Sequence, residues 1–466
     1  MSQNVYVLLP GITGSILTKD GKDVFGLTAA AGLRALFTGG NSLQSLKVEP
    51  TMSIQDRPDD GVTASAIAPD AHLIPGLWKI DGYGKVADYI IKRLKAKPGE
   101  NYFEFPYDWR LDNRIAAHDL FQKVHRWLTA YRTGHPQAKV VLVAHSMGGL
   151  VARYYLEVLQ GWRDTRALIT FGTPHRGSLN ALDALANGIT KLYGLVDLTD
   201  LVRSFPSVYQ LLPIYPCIDT GSAKLAYPTD VASQIKNLDV KSVQSARTFH
   251  DEIDKAVTAN GQLEEYQNSR YRLHSVIGIE HPTMQAAQLQ NGKLSMSMTH
   301  ASGDWGGDGT VPRVAATPLE ISDDSAAKFA ATRHSSLQNA GDVLTQLRGW
   351  VSGTNLDNFK AGGLVRLEVD LRDIYPVDEP IHVTVTPSTG TARIDYRLEQ
   401  LATPQTAKTS NDNGSVSVPP IVDSIQAVDG PNEIDIPNPG PGLYRMTLSG
   451  TAEVEPVSDL VVCAPR

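Results

Sequence analysis

VVLVAHSMGGLVARYYLE, residues 140–157, runs four consecutive aliphatics into a serine followed by two glycines, and then into an amphipathic segment. The aliphatic run reads as a buried strand and the segment after it as a helix, so Ser146 stands at the turn between them. A sharp strand-to-helix turn of this kind presents a nucleophile at the carboxyl end of a parallel sheet, and it needs small neighbours so that backbone can pass close by. The usual G-x-S-x-G pattern stands here as Ala144-His145-Ser146-Met147-Gly148, with one glycine relaxed to alanine. A serine capping a helix fits the bare five residues too; the strand before them and the helix after them favour the nucleophile.

Outward from this stretch the pattern alternates short apolar runs with helical periodicity from Asn4 to about Gly353, which predicts an α/β sheet with helices on both faces. VYVLLPG, NYFEFPYDW, AKVVLVAHS, ALITFGTP and YRLHSVIGI read as strands. Helices are expected around Val86–Leu94, Ala116–Tyr131, after Ser146, and over Leu337–Val351. The stretches 18–70 and 178–267 are less regular and read as insertions, the expected place of a lid. Beyond about Gly362 short alternating runs separated by Pro, Gly, Asn and Asp predict an all-β, immunoglobulin-like sandwich over 362–466, as an accessory unit to a catalytic domain over 1–355.

A serine alcohol is a poor nucleophile near neutral pH and needs a base within hydrogen-bond reach and an acid to orient that base. In this class of fold the chain order is Ser, then Asp or Glu, then His. His334, in ATRHSSL, precedes a helix from a loop and is assigned the base, whereas His382 in PIHVTV reads as a structural strand residue. GDWGGDGTVP offers two acids, of which Asp308 is the choice and Asp304 the reserve; both types also serve simply as turn formers. Two backbone amides should receive the developing oxyanion, one from Met147 and one from Ile12 in the glycine-rich turn LLPGITGS.

The combination of LLPGITGS, FPYDWR at 105–110, AHSMGG, FGTPHRGS at 171–178, and GDGTVP before a late RHSS resembles the lecithin:cholesterol acyltransferase family. That resemblance covers roughly residues 1–353. It implies an α/β-hydrolase fold with inserted cap segments, Ser146, Asp308 and His334 as a triad, Ile12 and Met147 as oxyanion donors, and an acyl group taken from a glycerolipid through an acyl-serine. Within the same motifs Asp108 and Arg110 are expected to brace loops, and His175 and Arg176 either to touch a polar head group or to brace the loop that carries them. Leu201–Tyr215, the most apolar inserted piece, is a candidate lipid-facing surface, with ordinary core packing as the alternative.

Composition narrows the partners. With 43 Lys+Arg against 50 Asp+Glu the net charge is −7 and basic blocks are lacking, so no nucleic-acid partner is expected. The first fifteen residues carry no Lys or Arg before their apolar stretch, and no apolar run reaches the roughly 18 residues of a membrane span. Cys217 and Cys463 are the two cysteines, in no metal-like spacing. A cytoplasmic enzyme without metal or cofactor is expected, acting on a lipid or ester substrate with transient membrane contact; leaderless export as an effector stays open. A soluble carboxylesterase or thioesterase would use the same residues, and a non-catalytic scaffold would have no reason to keep them in order. The partner of the β unit is not legible.

Overall fold

The computed structural model describes residues 4–26, 41–49, 57–69, 72–74, 78–191, 196–301, 303–321, 327–352, 365–403, 419–450 and 454–465. The expected linker after residue 352, parts of the insertion at 18–70 and most of the run GSVSVPP lie outside these residues.

Among the described residues, six parallel strands form the central sheet. In chain order they are β1 (Asn4–Leu9), β2 (Tyr102–Glu104), β3 (Lys139–His145), β4 (Thr165–Phe171), β5 (Arg272–Gly278) and β6 (Lys328–Ala330), and across the sheet they run β6-β5-β4-β3-β1-β2. Successive side chains of a strand face opposite ways, so a doubly covered sheet needs apolar residues at every position. Strand β1 meets this: Val5, Val7 and Leu9 enter one apolar cluster, and Tyr6 and Leu8 enter the other.

Helices α1 (Gly84–Arg93), α2 (Asn113–Arg132), α3 (Gly148–Glu157), α4 (Leu179–Asn187), α5 (Val240–Asn260) and α6 (Gly341–Ser352) complete the layers. Val86 and Ile90 of α1 and Val343 and Leu347 of α6 cover the face of Tyr6 and Leu8. Leu120, Val124 and Leu128 of α2 and Leu150 and Val151 of α3 cover the opposite face. Side-chain caps fix where helices begin: Asp112 accepts from the Arg114 amide at 2.8 Å, and Asp239 from the Ser242 amide at 2.7 Å. Among the described residues no helix is long and apolar enough to cross a membrane.

The insertion at 178–267 holds more order than its sequence suggests, since α4 and the 21-residue α5 both lie in it. Leu201–Tyr215 is corrected as a lipid-facing surface. Leu201, Val202, Phe205, Val208, Tyr209, Leu211 and Leu212 are each at most 4% exposed and belong to the main apolar cluster, so this piece is core.

Beyond residue 365 two sheets enclose a separate apolar core. Strands β7 (Leu367–Leu371), β9 (Ile381–Pro387) and β12 (Asn432–Ile436) form one, in the order β7-β9-β12. The other contains β8 (Ile374–Pro376), β10 (Ala392–Ala402), β11 (Ile421–Ala427), β13 (Gly442–Gly450) and β14 (Val457–Ala464), in the order β8-β14-β13-β10-β11. Strand β14 is buried on both faces. Its Val457, Val461 and Cys463 pack inside the two-sheet unit, whereas Leu460, Val462 and Ala464 join the apolar cluster of the α/β unit.

Candidate active site

Ser146 follows the last residue of β3 and precedes α3 by one residue, with a left-handed φ of 51°. For a side chain with a Cβ that conformation costs about 1–2 kcal/mol and persists only where the surroundings enforce it. Here the Ser146 amide donates to the Phe171 carbonyl at 2.8 Å and its own carbonyl accepts from Gly149 at 3.0 Å. The glycine after Met147 is required by a close approach: a Cβ on Gly148 would lie 2.4 Å from the Pro10 carbonyl oxygen. The turn LLPGITGS is therefore packed directly on the serine turn.

Three side chains from three segments converge at the carboxyl end of the sheet. The Ser146 Oγ is 2.9 Å from His334 Nε2, and His334 Nδ1 is 2.7 Å from Asp308 Oδ2. Asp308 is 1% exposed, and its other oxygen, Oδ1, accepts from the amides of Thr310 at 2.9 Å and Val311 at 2.7 Å. With both oxygens occupied, the carboxylate has one orientation open to it. The His334 amide also donates to the Asp308 carbonyl at 2.9 Å, tying the two loops together. Gly172 passes behind this pair with φ 56°, and a Cβ there would lie 2.7 Å from His334 Nδ1 and 2.8 Å from Asp308 Oδ2. Asp304 sits apart from the convergence: it is exposed, and its Oδ1 accepts from Gln285 Nε2 and, at 2.7 Å, from the Gly306 amide.

Among the described residues, the amide hydrogens of Ile12 and Met147 have no protein acceptor. Met147 is the residue before the first turn of α3, where free amides are expected. FPYDWR holds the Ile12 turn from below. Tyr107 donates its hydroxyl to the Pro10 carbonyl at 2.9 Å and its amide to Ser15 Oγ at 3.1 Å, and Trp109 Nε1 donates to the Ser15 carbonyl at 3.1 Å. Arg110, fully buried, pairs with Asp108 at 2.6 Å and Asp60 at 2.9 Å and donates to the Leu46 carbonyl at 3.0 Å. Through Asp108 and Arg110 the FPYDWR segment is thus joined to Asp60 and Leu46.

Arg176 donates from Nε to the Thr317 carbonyl and from Nη2 to the Pro318 carbonyl, both at 2.9 Å, so its guanidinium joins segments of the protein. His175 is 6% exposed with Nε2 unpartnered, and burial, reinforced by Arg153, pulls its pKa well below the usual histidine range.

A second chain of hydrogen bonds, not legible in the motifs, runs behind the serine. The Gly11 amide donates to the Tyr83 hydroxyl at 2.7 Å, Tyr83 lies 2.9 Å from His145 Nδ1, and His145 Nε2 lies 2.9 Å from the His334 carbonyl. A carbonyl only accepts, so His145 carries its proton on Nε2 and Tyr83 donates to Nδ1. Burial, then the nearby His334, pull the His145 pKa down to about 3, which keeps the ring neutral.

The family model described as lecithin:cholesterol acyltransferase matches residues 48–299. The human lysosomal phospholipase A and acyltransferase is 32% identical over 127 residues, which are 25% of this chain and 29% of that protein. The chicken phosphatidylcholine-sterol acyltransferase is 29% identical over 136 residues, 26% of this chain and 32% of that protein. The chain therefore matches about a third or less of the length of these relatives. A chain of the Tle4-Tli4 complex superimposes with a TM-score of 0.47 at 16% identity, covering 76% of this chain and 98% of that one. With a match to more than half of its residues, the chain belongs to the lecithin:cholesterol acyltransferase family.

Proposed function

We propose that this chain is a serine acyl hydrolase or acyltransferase of α/β-hydrolase architecture that takes an acyl group from a glycerolipid ester through an acyl-serine at Ser146. The hydrogen-bonded series Ser146 Oγ, His334 Nε2, His334 Nδ1, Asp308 Oδ2 carries this reading. As Ser146 Oγ attacks the ester carbonyl, His334 Nε2 takes its proton, and Asp308 stabilises the imidazolium. The amides of Ile12 and Met147 receive the oxyanion. Collapse breaks the ester C–O bond and the leaving alkoxide takes the proton from His334. Water or a lipid alcohol then gives its proton to His334 and attacks the acyl-serine; the acyl C–Oγ bond breaks, Ser146 Oγ takes the proton back from His334, and a fatty acid or a new ester is released.

The triad is indifferent to the acceptor; exclusion of water decides between hydrolysis and transfer. Family membership supports a lipid ester as substrate and transient contact with a membrane surface. The burial of Leu201–Tyr215 favours a second reading, a soluble carboxylesterase or thioesterase with the same machinery. Under either reading residues 1–355 form the catalytic domain, the enzyme works in the cytoplasm, and the C-terminal unit is an immunoglobulin-like sandwich, supported by its alternating strands.

Covalent capture tests the proposal. A fluorophosphonate should add one phosphonyl group, mapped to Ser146 by peptide mass spectrometry, and Ser146→Ala should take up none. Labelling elsewhere, or equal labelling of the variant, contradicts it.

A further inference from the structure

We propose that Asp459, on strand β14 of the C-terminal two-sheet unit, is a positioning residue for His334, so that this unit is a working part of the active site. The inference rests on the acyl-serine reading above.

Asp459 is a carboxylate only 1% exposed, and it is shared by two cations of the α/β unit. Its Oδ2 is 2.9 Å from Lys79 Nζ and 3.0 Å from Arg333 Nε, while its Oδ1 accepts from the Leu460 amide at 2.8 Å. Arg333 is the residue before His334, and its guanidinium also donates to the Val369 carbonyl of β7. Lys79 is paired a second time, with Asp373 at 2.8 Å. Two residues beyond His334's amide bond to Asp308, Ser336 Oγ donates to the Ser458 carbonyl at 3.4 Å. Between them, the Ser335 carbonyl accepts from the Asp81 amide at 2.9 Å, and Asp81 is held at 2.6 Å by Arg445 of β13.

Every residue from Arg333 to Ser336 is therefore fixed, and three of the four are fixed directly or through one neighbour by strands of the C-terminal unit. Apolar packing supports the same seam, with Leu460, next to Asp459, and Val462, three residues on, in the core of the α/β unit. Removing the carboxylate would leave the Arg333 guanidinium without its anionic partner and beside Lys79, which would keep only Asp373, and the cheapest relief is displacement of Arg333 and the His334 loop with it. A general base misplaced by a fraction of an ångström loses rate and not affinity, because the serine–base contact matters most in the transition state. An accessory unit whose loss leaves the site undisturbed would not carry these contacts.

The test uses the full-length protein on a small soluble ester, p-nitrophenyl butyrate, so that lipid binding plays no part. Asp459→Asn and Arg333→Gln should each lower kcat about tenfold or more while KM stays within about twofold. The double variant should be no slower than the slower single, as expected for partners in one ion pair. Arg393→Gln, which removes an exposed pair in the same unit, should leave kcat unchanged. Should Asp459→Asn fail to fold, Arg333→Gln decides alone. Folded variants with wild-type kcat and only a lowered melting temperature would overturn the inference by itself, provided that wild type is phosphonylated at Ser146. A wild type that is not phosphonylated would overturn the acyl-serine reading, and the inference with it.

Discussion

His145 and His334 stand 189 positions apart in the chain, yet the ring of the first donates from Nε2 to the backbone carbonyl of the second at 2.9 Å. The residue beside Ser146 thereby holds the backbone of His334, and Tyr83 holds the residue beside Ser146. Tyr83→Phe leaves the Gly11 amide without its acceptor and His145 Nδ1 without its donor. It should cost about 2 kcal/mol of stability and lower kcat about tenfold with little change in KM. Chemical denaturation and steady-state kinetics check both; a wild-type kcat would reduce the relay to packing.

Asp308 and Asp304 lie four residues apart and do different things. Asp308→Asn should lower kcat by about 10⁴-fold through loss of the imidazolium's counter-charge and of the tautomer it enforces. Asp304→Asn removes only turn contacts and should cost less than about threefold. Kinetics on a soluble ester decide, and the reverse ranking would move the acid.

Gly172 needs both its left-handed backbone and the space behind His334. Gly172→Ala should disable turnover by more than about a hundredfold while the protein stays folded, since the added methyl displaces the His334–Asp308 pair. Circular dichroism beside kinetics checks this; a hundredfold loss only on unfolding would contradict it.

Histidines shielded from water should make the fold acid-labile. Burial is the first cause in each case and holds His145 and His281 at about 3 and His250 and His274 at about 4. Unfolded histidine titrates near about 6.5. Between about pH 6.5 and about pH 4 the unfolded state therefore binds protons that the folded state refuses, and stability falls as pH falls. Each such group contributes up to about 1.4 kcal/mol per pH unit. His274→Phe keeps the stacking on Trp350 and should reduce the slope of stability against pH by about one proton. Denaturation measured across that window tests it, and an unchanged slope would contradict it.

The strand, the serine and the helix after it were legible because a buried β-strand and a strained turn each leave a local signature in residues 140–149. The order of Asp308 and His334 follows from fold logic, and FPYDWR reads as loop bracing at Asp108 and Arg110, whereas the hydrogen bonds of Tyr107 and Trp109 to the turn of Ile12 show only in three dimensions. Tyr83 left no signal: its hydroxyl meets partners 72 and 62 positions away. The same holds for Asp459, which meets Lys79 across 380 positions. Helix α5 was obscured because its buried side includes Ala246 and His250, so the apolar periodicity is thin. Leu201–Tyr215 was ambiguous for a general reason, since an apolar run looks alike whether it faces lipid or core.

If Ser146 carries an acyl group taken from a glycerolipid, mass spectrometry of the products formed from mixed phospholipid vesicles by wild type and Ser146→Ala, with and without an added lipid alcohol, should show it. Lysophospholipid with free fatty acid, or with a newly acylated alcohol, should form from wild type alone. The same products from Ser146→Ala, or no lipid product from a wild type that still cleaves a small soluble ester, would contradict it.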